Sequence, residues 1–334
     1  MKRIMIFILA FVAAATSGVD VLAQQTFAER LGFPKDARVL IMHVDDVGMS
    51  WDSNQGAIQA LEKGVATSVS IMMPCPWVPG FFHYMQEKPG VDAGLHLTLT
   101  SEWRDYRWSP LSGKSTTPGL VDKEGAMWAS VSDVVTHATA DEIEKEIRAQ
   151  IDRARTMGFE PTHLDTHMGT VFATAEFLER YIKIGIDTKI PIMFPGGHNH
   201  LISAQISATP EQAAFFRTTG ETLWKAGLPV LDDLHNMSYE WNYNEIAGND
   251  EDIRKFATSK YIETLKKTRP GLTMVIMHCT APTEVFPHIS DSGKIRKGDL
   301  LAMTDPALRE FLKREGFILT TWREVMERRK KLSE

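Results

Sequence analysis

Short apolar runs alternate with amphipathic segments along most of this 334-residue chain. Strands are predicted at residues 39–44, 66–73, 91–98, 162–165, 190–194, 230–231, 272–277 and 317–319. Helices are predicted at residues 53–63, 79–88, 139–158, 173–186, 209–227, 250–267 and 305–316. Strands separated by helices form βαβ units with a parallel sheet. About seven such units favour an α/β fold, namely a single, distorted, seven-stranded (β/α) barrel, over an open doubly wound sheet.

Two large classes of function are excluded by what the chain lacks. The first predicted strand is followed by DDVGM at residues 45–49, which is neither a dinucleotide fingerprint nor a phosphate-binding loop. The formal net charge is −6, whereas proteins that bind the phosphate backbone present a basic face. Nucleotide-binding folds and nucleic-acid partners are therefore not expected.

The first 23 residues have the pattern of a secretory signal peptide. Lys2 and Arg3 precede an apolar run at residues 4–14, and small or aliphatic residues follow at 21–23. The run is interrupted at residues 16–18 and by Asp20, so it is too short for the ~20 apolar residues of a membrane span. We expect a periplasmic or secreted protein with no membrane span after processing.

The remaining residues, 24–334, are predicted to form one domain, with one long irregular segment at 101–127. Loops of that length within a compact domain are usually functional. Only Cys75 and Cys279 are available for a disulfide, and a domain of this size does not need one. No CxxC or Cys/His spacing typical of structural zinc is present.

Polar side chains cluster where the predicted strands end. The residues concerned are His43, Asp45, Asp46, His96, His163, Asp165, His167 and His278. In a parallel barrel the active site lies at the carboxyl ends of the strands, so these side chains should converge. Carboxylate and imidazole groups together form a facial set of ligands for a divalent metal, and a second carboxylate can take a proton from water. The pattern predicts a metal-hydrolase site.

At these residues the chain resembles the YdjC/ChbG-like carbohydrate deacetylases, a family within the NodB/YdjC-like superfamily of barrel deacetylases. The family's Ala-Asp-Asp-Phe-Gly motif corresponds to HVDDVG at residues 43–48. Its Gly-x-His-Leu-x-Leu-Thr motif corresponds to GLHLTLT at 94–100, and its Thr-His-x-Asp-Ser-His motif to THLDTH at 162–167. Asn54 and the segment GVATSVS at 64–70 also match, and the resemblance extends from residue 38 to 323.

The resemblance implies roles for individual residues. Asp46, His96 and His167 would bind one divalent metal ion, and Asp45 would be the general base. The family's metal is magnesium, although two imidazoles and one carboxylate also suit Zn²⁺, Co²⁺ or Mn²⁺. His278 would be a general acid or oxyanion partner, with His163 and Asp165 in supporting positions, Asp165 orienting His167 or a neighbouring group.

The chain departs from the family pattern after two of these histidines. The family's Glu and Pro-Gly around the late histidine are replaced by Met274 and by Cys279-Thr280. After His167 the chain continues MGTV, where family members often have further histidines. The implied metal ligands are kept, so the departures bear on the substrate rather than on the metal.

The expected partner is an N- or O-acetylated sugar or oligosaccharide, and a homodimer is left open. Trp103, Tyr106 and Trp108 in the irregular segment could stack on sugar rings, or they could hold that segment against the barrel. Two alternatives to a deacetylase stay open at this point. One is a metal-free glycoside hydrolase, which would use two opposed carboxylates such as Asp45 with Asp165 or Asp233. The other is a carbohydrate-binding protein that has lost catalysis.

Overall fold

The computed structural model describes residues 25–332, so the predicted signal peptide lies outside the described residues. The strands are β1 (Arg38–Val47), β2 (Ser68–Ile71), β3 (Ala93–Leu97), β4 (Leu164–Thr166), β5 (Asp233–His235), β6 (Gly271–Met277) and β7 (Ile318–Leu319). The helices are α1 (Phe27–Arg30), α2 (Trp51–Glu62), α3 (Val78–Glu87), α4 (Val131–His137), α5 (Ala140–Thr156), α6 (Ala175–Thr188), α7 (His200–Ile206), α8 (Pro210–Lys225), α9 (Asp250–Leu265), α10 (Gly293–Met303), α11 (Pro306–Arg314) and α12 (Trp322–Lys331). None of these helices is long and apolar enough to cross a membrane.

The strands form one parallel sheet in the order β4-β3-β2-β1-β6-β5. Strand β1 is central because it pairs with three others. Residues 38–44 pair with β6 on one side, while on the other side residues 39–40 pair with the short β7 and residues 43–47 pair with β2. The carboxyl ends of the strands consequently lie at one end of the sheet, which is where the predicted site residues occur.

Residues 191–195 link the two edges of the curled sheet through backbone hydrogen bonds. We refer to these residues as the seam. Leu164 of β4 bridges to Ile192, with Leu164 N 2.8 Å from the Pro191 carbonyl. Pro195 in turn bridges to Leu231, two residues before the start of β5. The predicted (β/α) barrel is confirmed, with the distortion concentrated at this seam.

The boundaries of several elements differ from the prediction. The strand expected at 190–194 exists only as isolated bridges, and the strand expected at 230–231 begins at Asp233. Five helices were not predicted, namely α1, α4, α7, α10 and α12. The seam segment cannot form a regular ladder, because Pro191 and Pro195 have no N–H group to donate.

The two faces of the strands have different surroundings. Leu40, Met42 and Val44 of β1 belong to the large core between the sheet and the outer helices. Val39 and Ile41 instead belong to a smaller cluster with Leu272, Met274 and Leu231 inside the curl, which α1 and α12 cover. The period of two in a strand then places the next inward-facing residues, His43 and Asp45, above this apolar floor.

Helix α2 packs directly on the chain that follows β6. A Cβ atom at Gly56 would overlap the carbonyl of Cys279 and lie 2.5 Å from Thr280 Cα. Glycine is therefore required here by the close approach of two backbones. Because Cys279 follows His278 directly, this contact helps to fix the end of β6. Cys279 and Cys75 are both buried free thiols.

Two side chains of α5 hold the irregular segment 101–127 and the end of β3. The buried Glu146 carboxylate accepts hydrogen bonds from the backbone N–H groups of Leu111 (3.1 Å) and Ser112 (2.9 Å). One turn further on, the Gln150 side chain pairs with both the N–H (3.0 Å) and the carbonyl (2.7 Å) of Thr98. Helix α5 thereby connects the segment to the strand that carries His96.

We expect Glu146→Ala to lower the free energy of unfolding by about 2–4 kcal/mol, because buried N–H groups lose a charged acceptor. Amide hydrogen exchange of residues 101–127 should rise selectively. Chemical denaturation and exchange mass spectrometry measure the two effects. Asp152→Ala, at an exposed position of the same helix, is the matched control and should change neither. Unaltered exchange in Glu146→Ala would show that the segment is held by other contacts.

Candidate metal and active site

An irregular end of β1 brings two consecutive carboxylates into the same pocket. In a regular strand Asp45 and Asp46 would face opposite sides of the sheet. The pairing of β1 with β2 shifts between Val44 and Val47, and Asp46 has a φ of 61°, in the left-handed region. This conformation is uncommon for any residue other than glycine, although aspartate tolerates it better than most. Such strain is typical of functional sites.

Asp46, His96 and His167 converge on one point. His96 is on β3, and His167 directly follows β4. His96 Nε2 and His167 Nδ1 are each 3.2 Å from the same carboxylate oxygen, Oδ1 of Asp46. All three residues are buried, and one ligand atom from each lies within 4.8 Å of the others.

The chemistry of these donors fits a divalent cation. Asp46 Oδ1 is buried and has no hydrogen-bond partner among residues 25–332, although two ring nitrogens face it. A buried carboxylate oxygen without a partner is costly, and a cation would satisfy it. One carboxylate and two imidazoles would leave other coordination positions for water and substrate.

Each histidine of this set is oriented from behind by a carboxylate. His96 Nδ1 is 2.7 Å from Asp165 Oδ1, and His167 Nε2 is 2.9 Å from Glu102 Oε1. This is the usual arrangement around a metal-binding histidine, whose second ring nitrogen bonds to an acceptor. Asp165 was predicted to orient His167 or a neighbour, and the structure places it on His96. Glu102 was missed, because a single glutamate in an irregular segment has no distinguishing pattern.

Arg296 is the second residue that sequence analysis missed. It lies on α10, and its Nη2 is 2.7 Å from Asp46 Oδ2, the oxygen that faces away from the histidines. Burial alone would raise the pKa of Asp46, but Arg296 and the two histidines together hold it well below its usual range. Asp46 is thus kept ionised and fixed in orientation. The helix itself was not predicted, so Arg296 had no assigned position.

The candidate base Asp45 is held by His43 and Ser70. His43 Nε2 is 3.0 Å from Asp45 Oδ1 and 2.8 Å from Asp165 Oδ2, and Ser70 Oγ is 3.4 Å from Asp45 Oδ1. The other oxygen of Asp45 is 3.8 Å from His96 Nε2. Burial lowers the pKa of His43, but the carboxylates of Asp165 and Asp45 outweigh it and raise the value to about 9. Two carboxylates thus face the same ring nitrogen of His43 and favour the protonated form of the ring.

His278 directly follows β6 and faces Asp45. Its Nε2 is 3.9 Å from Asp45 Oδ2, and the ring makes an edge contact with Tyr239, with 4.7 Å between ring centroids. The Asp299 carboxylate accepts a hydrogen bond of 2.8 Å from the His278 backbone N–H. His278 thus approaches one oxygen of Asp45, and His43 contacts the other.

His163 occupies a place different from that of the other histidines. It is fully buried, and its ring stacks on Trp322 at 5.1 Å between centroids, with an interplanar angle of 17°. Its Nε2 is 3.8 Å from Asp165 Oδ2, and its ring makes an edge contact with that of His43, with 4.9 Å between centroids, so it borders the buried network. Burial lowers the pKa of His163, which leaves it neutral.

The three aromatic residues of segment 101–127 do not share one environment. Trp108 is only 6% exposed, and its Nε1–H donates to the Thr100 carbonyl at 3.0 Å. This position favours packing over sugar stacking for Trp108. Trp103 is half-buried, with its ring centroid 6.3 Å from that of His167. Tyr106 is also half-buried, and its hydroxyl donates to the Met49 carbonyl.

Comparisons with known proteins agree with this site. The sequence matches the family model described as YdjC-like protein over residues 39–314. It is 31% identical to a protein of Thermus thermophilus named carbohydrate deacetylase, over 90% of this chain and 97% of that protein. A carbohydrate deacetylase of Thermoanaerobacter pseudethanolicus is 23% identical over 85% of this chain and 98% of its own length. The chain belongs to the YdjC-like family.

The fold has a counterpart among solved structures. A crystal structure from Enterococcus faecalis V583, provisionally described as a cellobiose-phosphate cleavage protein, superposes with a TM-score of 0.68. The two sequences are 18% identical, and the match covers 86% of this chain and 98% of the other. At this identity the likeness shows a shared fold and carries no information on the substrate.

The raised pKa of His43 predicts a pH dependence of stability in protein kept in a chelator. A histidine whose pKa rises from 6.5 unfolded to about 9 folded stabilises fully below pH 6.5, and this contribution is lost as pH rises through 9. We expect His43→Asn to be less stable than wild type by on the order of 3 kcal/mol at pH 6. The difference should shrink steadily towards pH 9.5. Urea denaturation at a series of pH values measures it, and a constant difference would contradict the charged state of His43.

Proposed function

We propose that this protein is an exported, metal-dependent carbohydrate deacetylase that hydrolyses acetyl groups of N-acetylated or O-acetylated sugars or oligosaccharides. The observation that supports it best is the placement of the Asp45 carboxylate beside three converging ligand atoms, one of which is the unpartnered Asp46 Oδ1. Relatives in the YdjC-like family carry the name carbohydrate deacetylase. The signal-peptide pattern of residues 1–23 supports export.

Asp46, His96 and His167 would hold the metal ion through Oδ1, Nε2 and Nδ1. Family resemblance favours Mg²⁺, and the two imidazoles also suit Zn²⁺, Co²⁺ or Mn²⁺. A divalent ion supplies Lewis acidity, which polarises a carbonyl and lowers the pKa of water. Arg296 keeps Asp46 charged, while Asp165 and Glu102 fix the ring orientation of the two histidines.

Asp45 is the proposed general base. One of its oxygens is held by His43 and Ser70, which leaves Oδ2 directed between His96 and His278. A carboxylate fixed in this way can take a proton from an attacking water without rotating first. The neighbouring imidazolium of His43 balances the charge of Asp45 and Asp165 within the buried network.

His278 is the proposed proton donor to the leaving amine or alcohol. Its backbone is fixed by Asp299, and its Nε2 approaches Asp45 Oδ2, the oxygen that His96 Nε2 also approaches. Nδ1 of His278 has no hydrogen-bond partner among the described residues, although Asp299 Oδ2 is 3.9 Å away. The ring is therefore oriented by packing against Tyr239 rather than by a hydrogen bond.

The structure disfavours the glycoside hydrolase alternative. Both oxygens of Asp165 face histidine nitrogens, since Oδ1 is 2.7 Å from His96 and Oδ2 is 2.8 Å from His43. The carboxylate of Asp233 accepts hydrogen bonds from the first N–H groups of α7, including Leu201 at 2.9 Å. Neither carboxylate is free to face a sugar across from Asp45. The second alternative, a protein that only binds carbohydrate, would not need the contacts with His43 and Ser70 that hold the Asp45 carboxylate in one orientation.

Acetate release tests the proposal directly. Purified protein should release acetate from at least one member of a panel of N- and O-acetylated mono- and oligosaccharides. A chelator should abolish release, and added divalent metal should restore it. Enzymatic acetate detection measures both effects. An absence of release from every member, with metal shown to be bound by elemental analysis, would contradict the deacetylase assignment.

The ligands and the base should respond differently to substitution. Asp46→Ala, His96→Ala and His167→Ala should each lose metal and activity together. Asp45→Asn should retain metal, while kcat falls by roughly 10²–10⁴, the usual contribution of a positioned base. KM should change little, because the base acts on water and not on the sugar. Metal content is measured by elemental analysis and turnover by acetate release.

Near-normal turnover of Asp45→Asn with metal bound would contradict the role of Asp45. The base would then have to be sought elsewhere among the buried carboxylates of the site. Asp105→Ala, in the exposed part of the irregular segment, is a suitable control for the loss of a carboxylate and should retain both metal and turnover.

A further inference from the structure

Two tryptophans at the carboxyl ends of β1 and β2 are unusually exposed. Trp51 is 49% exposed and Trp77 is 41% exposed, and their ring centroids are 5.5 Å apart. Trp51 is the first residue of α2, and Trp77 directly precedes α3. Contiguous exposed apolar surface often marks a site for a ligand or a partner.

This pair is rigidly connected to the active site. The N–H of Trp77 donates to the carbonyl of Gly48 at 3.1 Å, and the Trp77 carbonyl accepts from the Asn54 side chain at 2.9 Å. The Asn54 side chain also accepts from the N–H of Gly48 at 2.8 Å. Gly48 is two residues after the proposed ligand Asp46, so the backbone that carries Trp77 is fixed relative to the proposed metal site.

Two further loops contact residues close to Trp51. Together with the indole pair they form a rim at the carboxyl ends of the strands. The Asp52 carboxylate, one residue after Trp51, accepts a hydrogen bond of 2.6 Å from Thr283 N in the loop that follows β6. On another side the Tyr106 hydroxyl binds the Met49 carbonyl, two residues before Trp51. The indole pair thus lies between the loop that follows His278 and the irregular segment that carries Trp103.

A carbohydrate chain suits this surface better than a protein partner does. A stable protein interface buries about 800 Å² on each side. The apolar part of this rim amounts to the two indoles and the exposed Val285, while the other large exposed apolar side chains lie on different elements. A pyranose ring presents a flat C–H face of the size of one indole, and aromatic faces offer broad apolar contact.

We propose that Trp51 and Trp77 form an outer subsite that stacks on a pyranose ring remote from the acetyl group. The substrate would then be an acetylated oligosaccharide or polysaccharide rather than a free acetylated monosaccharide. This inference rests on the proposed function, since it assumes that a sugar occupies the metal site.

Binding of neutral, unacetylated sugars tests the subsite independently of hydrolysis. Cellotetraose, xylotetraose and chitosan tetraose are compared with glucose, xylose and glucosamine by isothermal titration calorimetry on the metal-loaded protein. Wild type should bind at least one tetrasaccharide more tightly than its monosaccharide. Trp51→Ala and Trp77→Ala should each weaken that binding by about 3- to 10-fold, the range expected for one aromatic stacking contact. Trp51→Phe and Trp77→Phe should retain most of it.

Phe215→Ala removes an equally exposed aromatic ring from α8 and should leave binding unchanged. Equal affinity of wild type and both alanine variants for every tetrasaccharide would overturn the subsite. A dimeric wild type that becomes monomeric in Trp51→Ala, measured by light scattering, would also overturn it and assign the pair to an interface. A third outcome separates the two proposals. If the alanine variants lost tetrasaccharide binding while wild type released no acetate, the subsite would be supported and the proposed activity contradicted.

Discussion

The active site depends on the left-handed backbone of Asp46 at the end of β1. A strand that continued regularly would direct Asp46 into the apolar layer under the helices, where Val44 lies. The irregularity turns the carboxylate to the same side as Asp45, and the contacts of Asp46 with Arg296, His96 and His167 offset the cost of the backbone and of burying its charge. The geometry of the strand end and the electrostatics of the pocket therefore support each other.

Acidic and basic side chains alternate through the interior of the barrel. From Glu102 the contacts run to His167, Asp46 and His96, and then through Asp165 and His43 to Asp45. Buried charges in such a series are favourable only when each has its partners, because an unpaired buried charge is very costly. A divalent ion would bring the two positive charges that a pair of protonated imidazoles otherwise supplies. Binding of such an ion would accordingly be coupled to proton release.

Much of the site could be predicted from the sequence because strand ends are recognisable. His43, Asp45, His96, Asp165 and His278 follow apolar runs, and the period of two in a strand directs them inward. Arg296 and Glu102 could not be found in this way, since a helix surface and an irregular segment give their side chains no fixed direction. The barrel was predicted, but its seam was not, because the pairing of 191–195 depends on distant backbone groups and not on local pattern.

The contact between Gly56 and the Cys279 carbonyl has a consequence for the sequence variation that the family can tolerate. The exposed Glu62 of α2 could be replaced freely, since its side chain meets mostly water. At residue 56 every amino acid other than glycine would push helix and loop apart and shift His278 relative to Asp45. Selection on catalysis would then act on a residue that has no functional group and touches no substrate. A relative with a larger side chain at this position should carry a rearranged loop after β6.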